Sequence, residues 1–297
     1  MKMKKIIALA AAMTMTMAMA VGCGSSDEGT KEKAFDTGNE ISILSREDGS
    51  GTRGAFVELF GIEQKNEAGE KVDYTTDEAT VTSSTSVMLT SVADDEYAIG
   101  YVSLGSLNDT VKALKVDGAE ATEANIKAGT YKVSRPFNIA TKGDVSEVTQ
   151  DFIDFILSSE GQQVVSENGY IPLDGAAAYA GTKPAGKIVV AGSTSVTPVM
   201  EKLKEAYLAI NTGAEIEIQT NDSTTGMTST IDGICDIGMA SRELKEEEVA
   251  AGLTGTVIAT DGIAVIVNKA NTMDDIASEQ VKSIYMGEVL TWDEVIK

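Results

Sequence analysis

Two strand-to-helix junctions carry most of the chemistry this sequence offers. The first reads Ile41-Ser42-Ile43-Leu44-Ser45-Arg46-Glu47-Asp48-Gly49-Ser50-Gly51-Thr52-Arg53, and the second Lys187-Ile188-Val189-Val190-Ala191-Gly192-Ser193-Thr194-Ser195-Val196-Thr197-Pro198. A third helix start, Asn221-Asp222-Ser223-Thr224-Thr225-Gly226, has a similar make-up. Each leads small residues and hydroxyls into a helix. Free N–H groups and the positive end of the helix dipole lie there, and glycine lets a ligand approach the backbone. Such a start is an anion site by construction. Taken singly, each also reads as an ordinary cap, because Ser, Thr and Asp are the usual N-cap residues.

Composition narrows the field. The chain has 297 residues, a formal net charge of −22 and no histidine. A field this acidic repels nucleic acid and anionic membrane surfaces, so any bound anion must sit in a local cradle. Without histidine there is no His-based triad and no His metal site. Aromatics make up 5% of the residues, which argues against a stacking surface. Cys23 and Cys235 have no close-spaced partner, and Cys235, within Ile234-Cys235-Asp236-Ile237, reads as a buried small hydrophobe. Gly49-Ser50-Gly51-Thr52-Arg53-Gly54 fits G-x-G-x-x-G, with Asp73 about twenty residues on. The charges at Arg46, Glu47 and Asp48 crowd the place where a dinucleotide fingerprint wants a tight turn straight off an apolar strand.

These motifs need elements to carry them. Residues 1–22 read as a targeting signal, with Lys2, Lys4 and Lys5 before an apolar run too short to span a bilayer. Residues 23–40 read as a polar, flexible tether. Apolar runs then alternate with helical patterns, as in an α/β fold. Strands are expected at 41–44, 98–102, 137–140, 187–191, 215–219, 236–239 and 263–268. Helices are expected at 53–60, 148–157, 161–168, 198–210 and 278–286, with Pro198 suited to a first turn and Gly169 to a stop. A loose internal repeat relates Ser83-Ser84-Thr85-Ser86, which leads to Ala98-Ile99-Gly100-Tyr101-Val102-Ser103, with Ser223-Thr224-Thr225-Gly226, which leads to Asp236-Ile237-Gly238-Met239-Ala240-Ser241.

Arg46-Glu47-Asp48-Gly49-Ser50-Gly51-Thr52 resembles the Arg-x-Asp-Gly-Ser-Gly-Thr block of the phosphate-binding proteins of ABC phosphate importers. Gly192-Ser193-Thr194-Ser195-Val196, the helix start at Ser223, Asp236-Ile237-Gly238 and the ending Ile284-Tyr285-Met286-Gly287-Glu288 with Trp292 are similar to that family too. The resemblance implies a two-lobed type II periplasmic-binding-protein fold with a hinge and an interlobe cleft. It implies a binder rather than an enzyme, without cofactor or metal, and working as a monomer. Its partners would be inorganic phosphate and the importer's permease and ATPase. Carried over by position, Arg46 supplies charge, Asp48 orients it, Ser50 and Thr52 give hydroxyls, and Gly51 and Thr52 give N–H groups. Ser195, the Val196 N–H, Ser223 and Ser241 contact the anion from the other lobe. Thr194 and Arg242 are further candidates, Arg242 equally readable as a solvated helix-start residue.

Two departures matter. Many family members carry an acid where Ser241 stands, to accept the phosphate proton; a serine can accept as well as donate. Another tetrahedral oxyanion, such as sulfate, molybdate or tungstate, is therefore the alternative ligand. An exported phosphatase finds no triad or metal cluster to support it. The order of blocks is also reversed, with Arg46 near the start and Trp292 near the end, as in a circular permutant. Residues 41–133 and 269–297 are then expected to form one lobe and 134–268 the other, with hinge segments near 133–137 and 263–268. Ala20-Val21-Gly22-Cys23 resembles a lipobox, which implies a palmitate-bearing lipoprotein on the outer face of a bacterial cell membrane. Cys23→Ala should move the protein from the membrane fraction to the medium or leave an uncleaved precursor, as read by fractionation and mass spectrometry.

Overall fold

The computed structural model describes residues 34–296. The expected signal peptide, Cys23 and most of the expected tether lie outside the described residues. The chain runs β1 (Ser42–Arg46), α1 (Gly51–Leu59), β2 (Thr80–Thr82), α2 (Thr85–Asp94), β3 (Ala98–Ser103), then β4 (Ser134–Lys142), α3 (Glu147–Leu157) and α4 (Ser159–Glu167). It continues through β5 (Gly186–Ser193), α5 (Thr197–Ile210), β6 (Ala214–Asn221), α6 (Ser223–Ile231), β7 (Ile237–Ala240), β8 (Leu253–Val267) and α7 (Ser278–Tyr285). Pro198 sits in the first turn of α5, and Gly169 takes a positive φ of 81° just past α4.

The main sheet has the order β6-β5-β7-β4-β8-β3-β1-β2. Its two ends mirror one another. β1 pairs in parallel with β2 and β3, as β5 does with β6 and β7. Each β-α-β-α-β unit therefore places its first strand between the other two, and the loose sequence repeat is this repeated unit. Between them run β4 and β8, antiparallel to each other and to their neighbours β7 and β3. The C-terminal ends of β1 and β5, where open α/β sheets bind ligands, therefore face a common space.

Two large apolar cores flank that space. One gathers Ile43, Phe56, Ile99, Tyr101, Ile263, Val265, Tyr285 and Trp292. The other gathers Phe137, Phe152, Ile188, Val190, Met200, Tyr207, Ile237 and Ile258. Along β8, Ile258 and Ala259 belong to the second core and Ile263, Val265 and Val267 to the first, while Ala264 and Ile266 face a smaller cluster with Leu44, Met88 and Val102. The chain thus changes cores at residues 260–262, earlier than the segment 263–268 expected as a hinge. Ile263, Val265 and Val267 are apolar and fully buried in the first core, which a solvated crossing would not hold.

The end of the expected tether is pinned as well. Phe35 packs on Tyr97 and on the edge of Trp292, with ring centroids 5.3 and 6.0 Å apart. The Ile41 N–H donates to the Leu290 carbonyl at 2.8 Å, and the Asp293 N–H to the Thr37 carbonyl at 2.7 Å. The strand that opens with β1 and the segment around Trp292 are therefore stitched side by side. Trp292 is fully buried, and its indole N–H donates to the Tyr97 carbonyl at 3.0 Å. Trp292→Ala should lower stability by about 3–5 kcal/mol, read as a fall in urea midpoint with unchanged m; a wild-type midpoint would show that this corner contributes nothing.

Candidate functional site

Four helices begin at the space between the cores: α1, α2, α5 and α6. Each start is held by local chemistry. The Ser50 hydroxyl accepts from the Arg53 N–H, Ser84 caps α2 by accepting from Val87, and Asp222 caps α6 by accepting from Thr225. The N–H groups of Gly51 and Thr52, in the first turn of α1, have no acceptor within their own helix. Their dipoles add a positive potential there.

The hydroxyls meet in one network. Thr52 Oγ1 shares a hydrogen bond with Ser195 Oγ at 2.8 Å, and Ser195 Oγ shares another with Thr85 Oγ1 at 3.2 Å. Thr85 Oγ1 is 3.1 Å from Thr194 Oγ1. On the far side Ser193 Oγ donates to Ser241 Oγ at 3.0 Å, and the Ser241 N–H donates to Ser223 Oγ at 3.1 Å. Ser241 Oγ also lies 3.5 Å from Thr52 Oγ1 and 3.4 Å from Ser223 Oγ. Thr52, Ser195, Ser223 and Ser241 are all buried. Hydroxyls donate and accept by rotation, so this network can turn its protons toward an anion without moving a backbone atom.

Arg46 closes one side of the network. It is buried at the end of β1, and its Nη2 donates to Thr194 Oγ1 at 3.1 Å across the space. Its Nε and Nη2 also grip Glu47 Oε2 and Oε1, both at 2.7 Å. Asp48, expected to orient this guanidinium, does not. It occupies the turn closed by the Ser50 N–H on the Glu47 carbonyl, projects to solvent and pairs with Arg53 Nη1 at 2.8 Å. Glu47 takes the orienting role.

Other expected residues fall differently as well. The Val196 N–H, expected to face an anion, donates to the Ser193 carbonyl at 3.0 Å, because residues 193–196 form a turn before α5 begins. Ser50 serves as the cap of α1. Arg242 is neither a solvated side chain nor a free cation, since Glu248 binds it through two oxygens at 2.7 and 2.9 Å. Thr85, Ser193 and Glu47 belong to the site and escaped the sequence reading. The repeat held the signal for Thr85: α2 and α6 occupy equivalent places, so Thr85 matches Ser223 as the first residue of its helix.

Glycine makes the close approach. A Cβ on Gly51 would lie 2.5 Å from Ser223 Oγ and 2.8 Å from Ser241 Oγ. The Gly49 carbonyl accepts from both the N–H and the hydroxyl of Thr224, each at 3.2 Å. Nearby a cavity of about 390 Å³, lined by Ser50, Arg53, Thr224, Arg242 and Lys245, opens beside the network. A roomier cavity of about 830 Å³ lies apart from it along Asp144, Glu147, Asp151 and Asp154, whose charge is the wrong sign for an anion. Gly51→Ala suits the helix itself yet wedges α1 away from Ser223 and Ser241. It should keep the wild-type melting temperature while increasing the radius of gyration in small-angle scattering; an unchanged radius would show that the approach is not tight.

Comparison with known proteins shows the family. The family model described as a PBP superfamily domain matches residues 28–160 and 177–297. Phosphate-binding protein PstS 2 of Streptococcus agalactiae is 57% identical over the full length of both chains. The protein of the same name in Streptococcus pneumoniae is 42% identical over 99% of this chain and all of its own. A crystal structure of a phosphate-binding protein of a phosphate ABC transporter from S. pneumoniae TIGR4 matches with a TM-score of 0.68 and 43% identity, covering 86% of this chain and 100% of that one. The chain belongs to the PstS phosphate-binding proteins, a binding-protein rather than an enzyme family, within the PBP superfamily.

Proposed function

We propose that this chain is the phosphate-binding component of a phosphate ABC importer, working outside the cell on an acylated Cys23. The observation that carries the reading is the meeting of four helix starts, a buried hydroxyl network and one guanidinium at a single space. A tetrahedral oxyanion needs many donors and modest neutralising charge. Neutral donors in a dry site supply that at close range, and charge-assisted hydrogen bonds from Arg46 add strength and direction. Arg46, Ser50, Gly51, Thr52, Ser195, Ser223 and Ser241 are the proposed contacts, with Thr85, Thr194 and Ser193 added from the network.

In this reading two lobes close on the anion like a hinged clamp, and the closed form docks on the permease and its ATPase. Residues 41–133 and 263–297 make one lobe and 134–259 the other, with the crossing of β8 at 260–262. The chain is then a circular permutant, and the stitching of Ile41 to Leu290 supports it by bringing the two joined regions together. The alternative of sulfate or molybdate rests on Ser241, a buried hydroxyl where an acid would exclude fully ionised anions.

Isothermal calorimetry against phosphate, sulfate and molybdate tests the reading. Wild type should prefer phosphate near neutral pH, and Ser241→Asp should disfavour sulfate further. Arg46→Ala should weaken phosphate binding by about 3–5 kcal/mol, the range for removing one partner of a buried charge interaction, with its fold intact by circular dichroism. Unchanged affinity in that variant would remove the site assignment; equal binding of phosphate and sulfate by wild type would turn the reading to a general oxyanion binder.

A further inference from the structure

The floor between the two cores holds a second pair of charges that the hydroxyl network does not use. Arg135 on β4 and Asp261 on β8 are directly opposed in the antiparallel ladder, where the chain changes cores. Arg135 Nη2 donates to Asp261 Oδ2 at 3.1 Å, with side chains 2% and 0% exposed. Asp261 Oδ1 accepts from Ser103 Oγ at 2.9 Å, at the end of β3. This leaves much of the guanidinium over. Arg135 Nε and Nη1 are buried without a hydrogen-bond partner. The guanidinium also lies over the Phe137 ring, 5.4 Å from its centroid, but a ring face does not accept in-plane N–H groups, and a charged donor kept dry without an acceptor is strongly unfavourable.

The ladder puts the pair on strands that lead to the anion site. Asn138, three residues along β4, is opposed to Ala240, the residue before Ser241. Ser103, the pair's third member, ends the strand equivalent to β7 and so matches Ala240–Ser241 in the other half. Burial lowers the Arg135 pKa and Asp261 opposes that, while the positive charge of Arg46 is close enough to add to the lowering. A cavity of about 460 Å³ that reaches Arg135 also touches Gly54 of α1 and Arg242 next to Ser241.

Resting on the oxyanion reading above, we propose that Arg135 is a second cation of the anion cleft, turning its Nε and Nη1 hydrogens to the bound oxyanion from the floor, with Asp261 setting how much of that charge the anion feels. With Asp261 ionised the pair is net neutral; with Asp261 protonated it is net positive. Burial pushes the Asp261 carboxyl up to about 6, against the opposing effects of Arg135, Ser103 and the Gly105 N–H. The other titratable groups facing it are Tyr131 and Tyr170, whose pKa values burial raises far above neutral, so both stay uncharged. Arg46 is the remaining charge nearby. As pH falls through about 6, the cleft gains one positive charge.

Calorimetry with inorganic phosphate at pH 5 and pH 8 tests this, taking each variant relative to wild type so that phosphate's own titration cancels. Asp261→Asn should bind phosphate about tenfold more tightly than wild type at pH 8, a step consistent with removing one nearby unit charge, and equally at pH 5. The double variant Arg135→Gln with Asp261→Asn keeps a neutral, hydrogen-bonding pair and should bind about tenfold more weakly than wild type at pH 8. A merely structural pair would not raise affinity on losing its carboxylate. Wild-type affinity in the folded double variant, or no gain in Asp261→Asn at pH 8, overturns the proposal and leaves the phosphate reading standing. A wild-type chain that takes up no phosphate overturns both.

Discussion

The contact between Thr52 and Ser195 hydroxyls, 2.8 Å apart and separated by 143 positions in sequence, is the constraint on which the rest of the cleft depends. Those residues stand at the starts of helices that belong to opposite halves of the sheet. They meet only if both helices aim their N-termini at one point, and only if nothing bulky intervenes. Gly51 satisfies the second condition, since any side chain there would run into Ser223 and Ser241. The first follows from strand order. Placing β1 and β5 each in the middle of its own three strands brings the two C-terminal ends, and the helices that follow them, to face each other.

Charge in this molecule is managed locally. The chain as a whole carries −22 and repels anions at long range. Around the cleft the guanidinium groups are each tied to a carboxylate, Arg46 to Glu47, Arg242 to Glu248 and Arg135 to Asp261. Attraction must therefore come mainly from oriented dipoles: helix starts, backbone N–H groups and rotatable hydroxyls. Such donors act over a few ångströms and leave the acidic exterior unaffected. They also need no large charge to be desolvated when an anion is held between the two walls.

The two halves are built alike but used differently. Both present a strand end, a hydroxyl-bearing turn and a helix start, and both contribute a second helix whose first residue is a buried hydroxyl, Thr85 on one side and Ser223 on the other. The charged residues break the symmetry. Arg46 ends β1, whereas the matching end of β5 carries Ser193 and Thr194. One wall thus supplies charge and the other neutral donors, and a bound oxyanion would complete what neither wall offers alone.

The sequence by itself determined the elements and the class of chemistry. The apolar runs at 98–102 and 187–191, the period of 198–210 with its proline start, and the Gly/Ser/Thr-rich junctions report local physics, and local physics is what single-chain patterns encode. The motif around Arg46 and that around Ser195 pointed to an anion for the same reason, since free N–H groups at a helix start are a local property. Tertiary structure alone decided which groups share the site. Asp48 and Glu47 are neighbours of Arg46 in sequence, and only the turn at 47–50 sends one to solvent and the other onto the guanidinium. The Val196 N–H was lost to a one-turn closure on Ser193, and Arg242 to Glu248. Thr85, Ser193 and the Arg135–Asp261 pair were out of reach because their meaning comes from strand pairing across many tens of residues. Hydrogen bonds of that kind leave no period or spacing in the chain, because they exist only once the sheet has assembled.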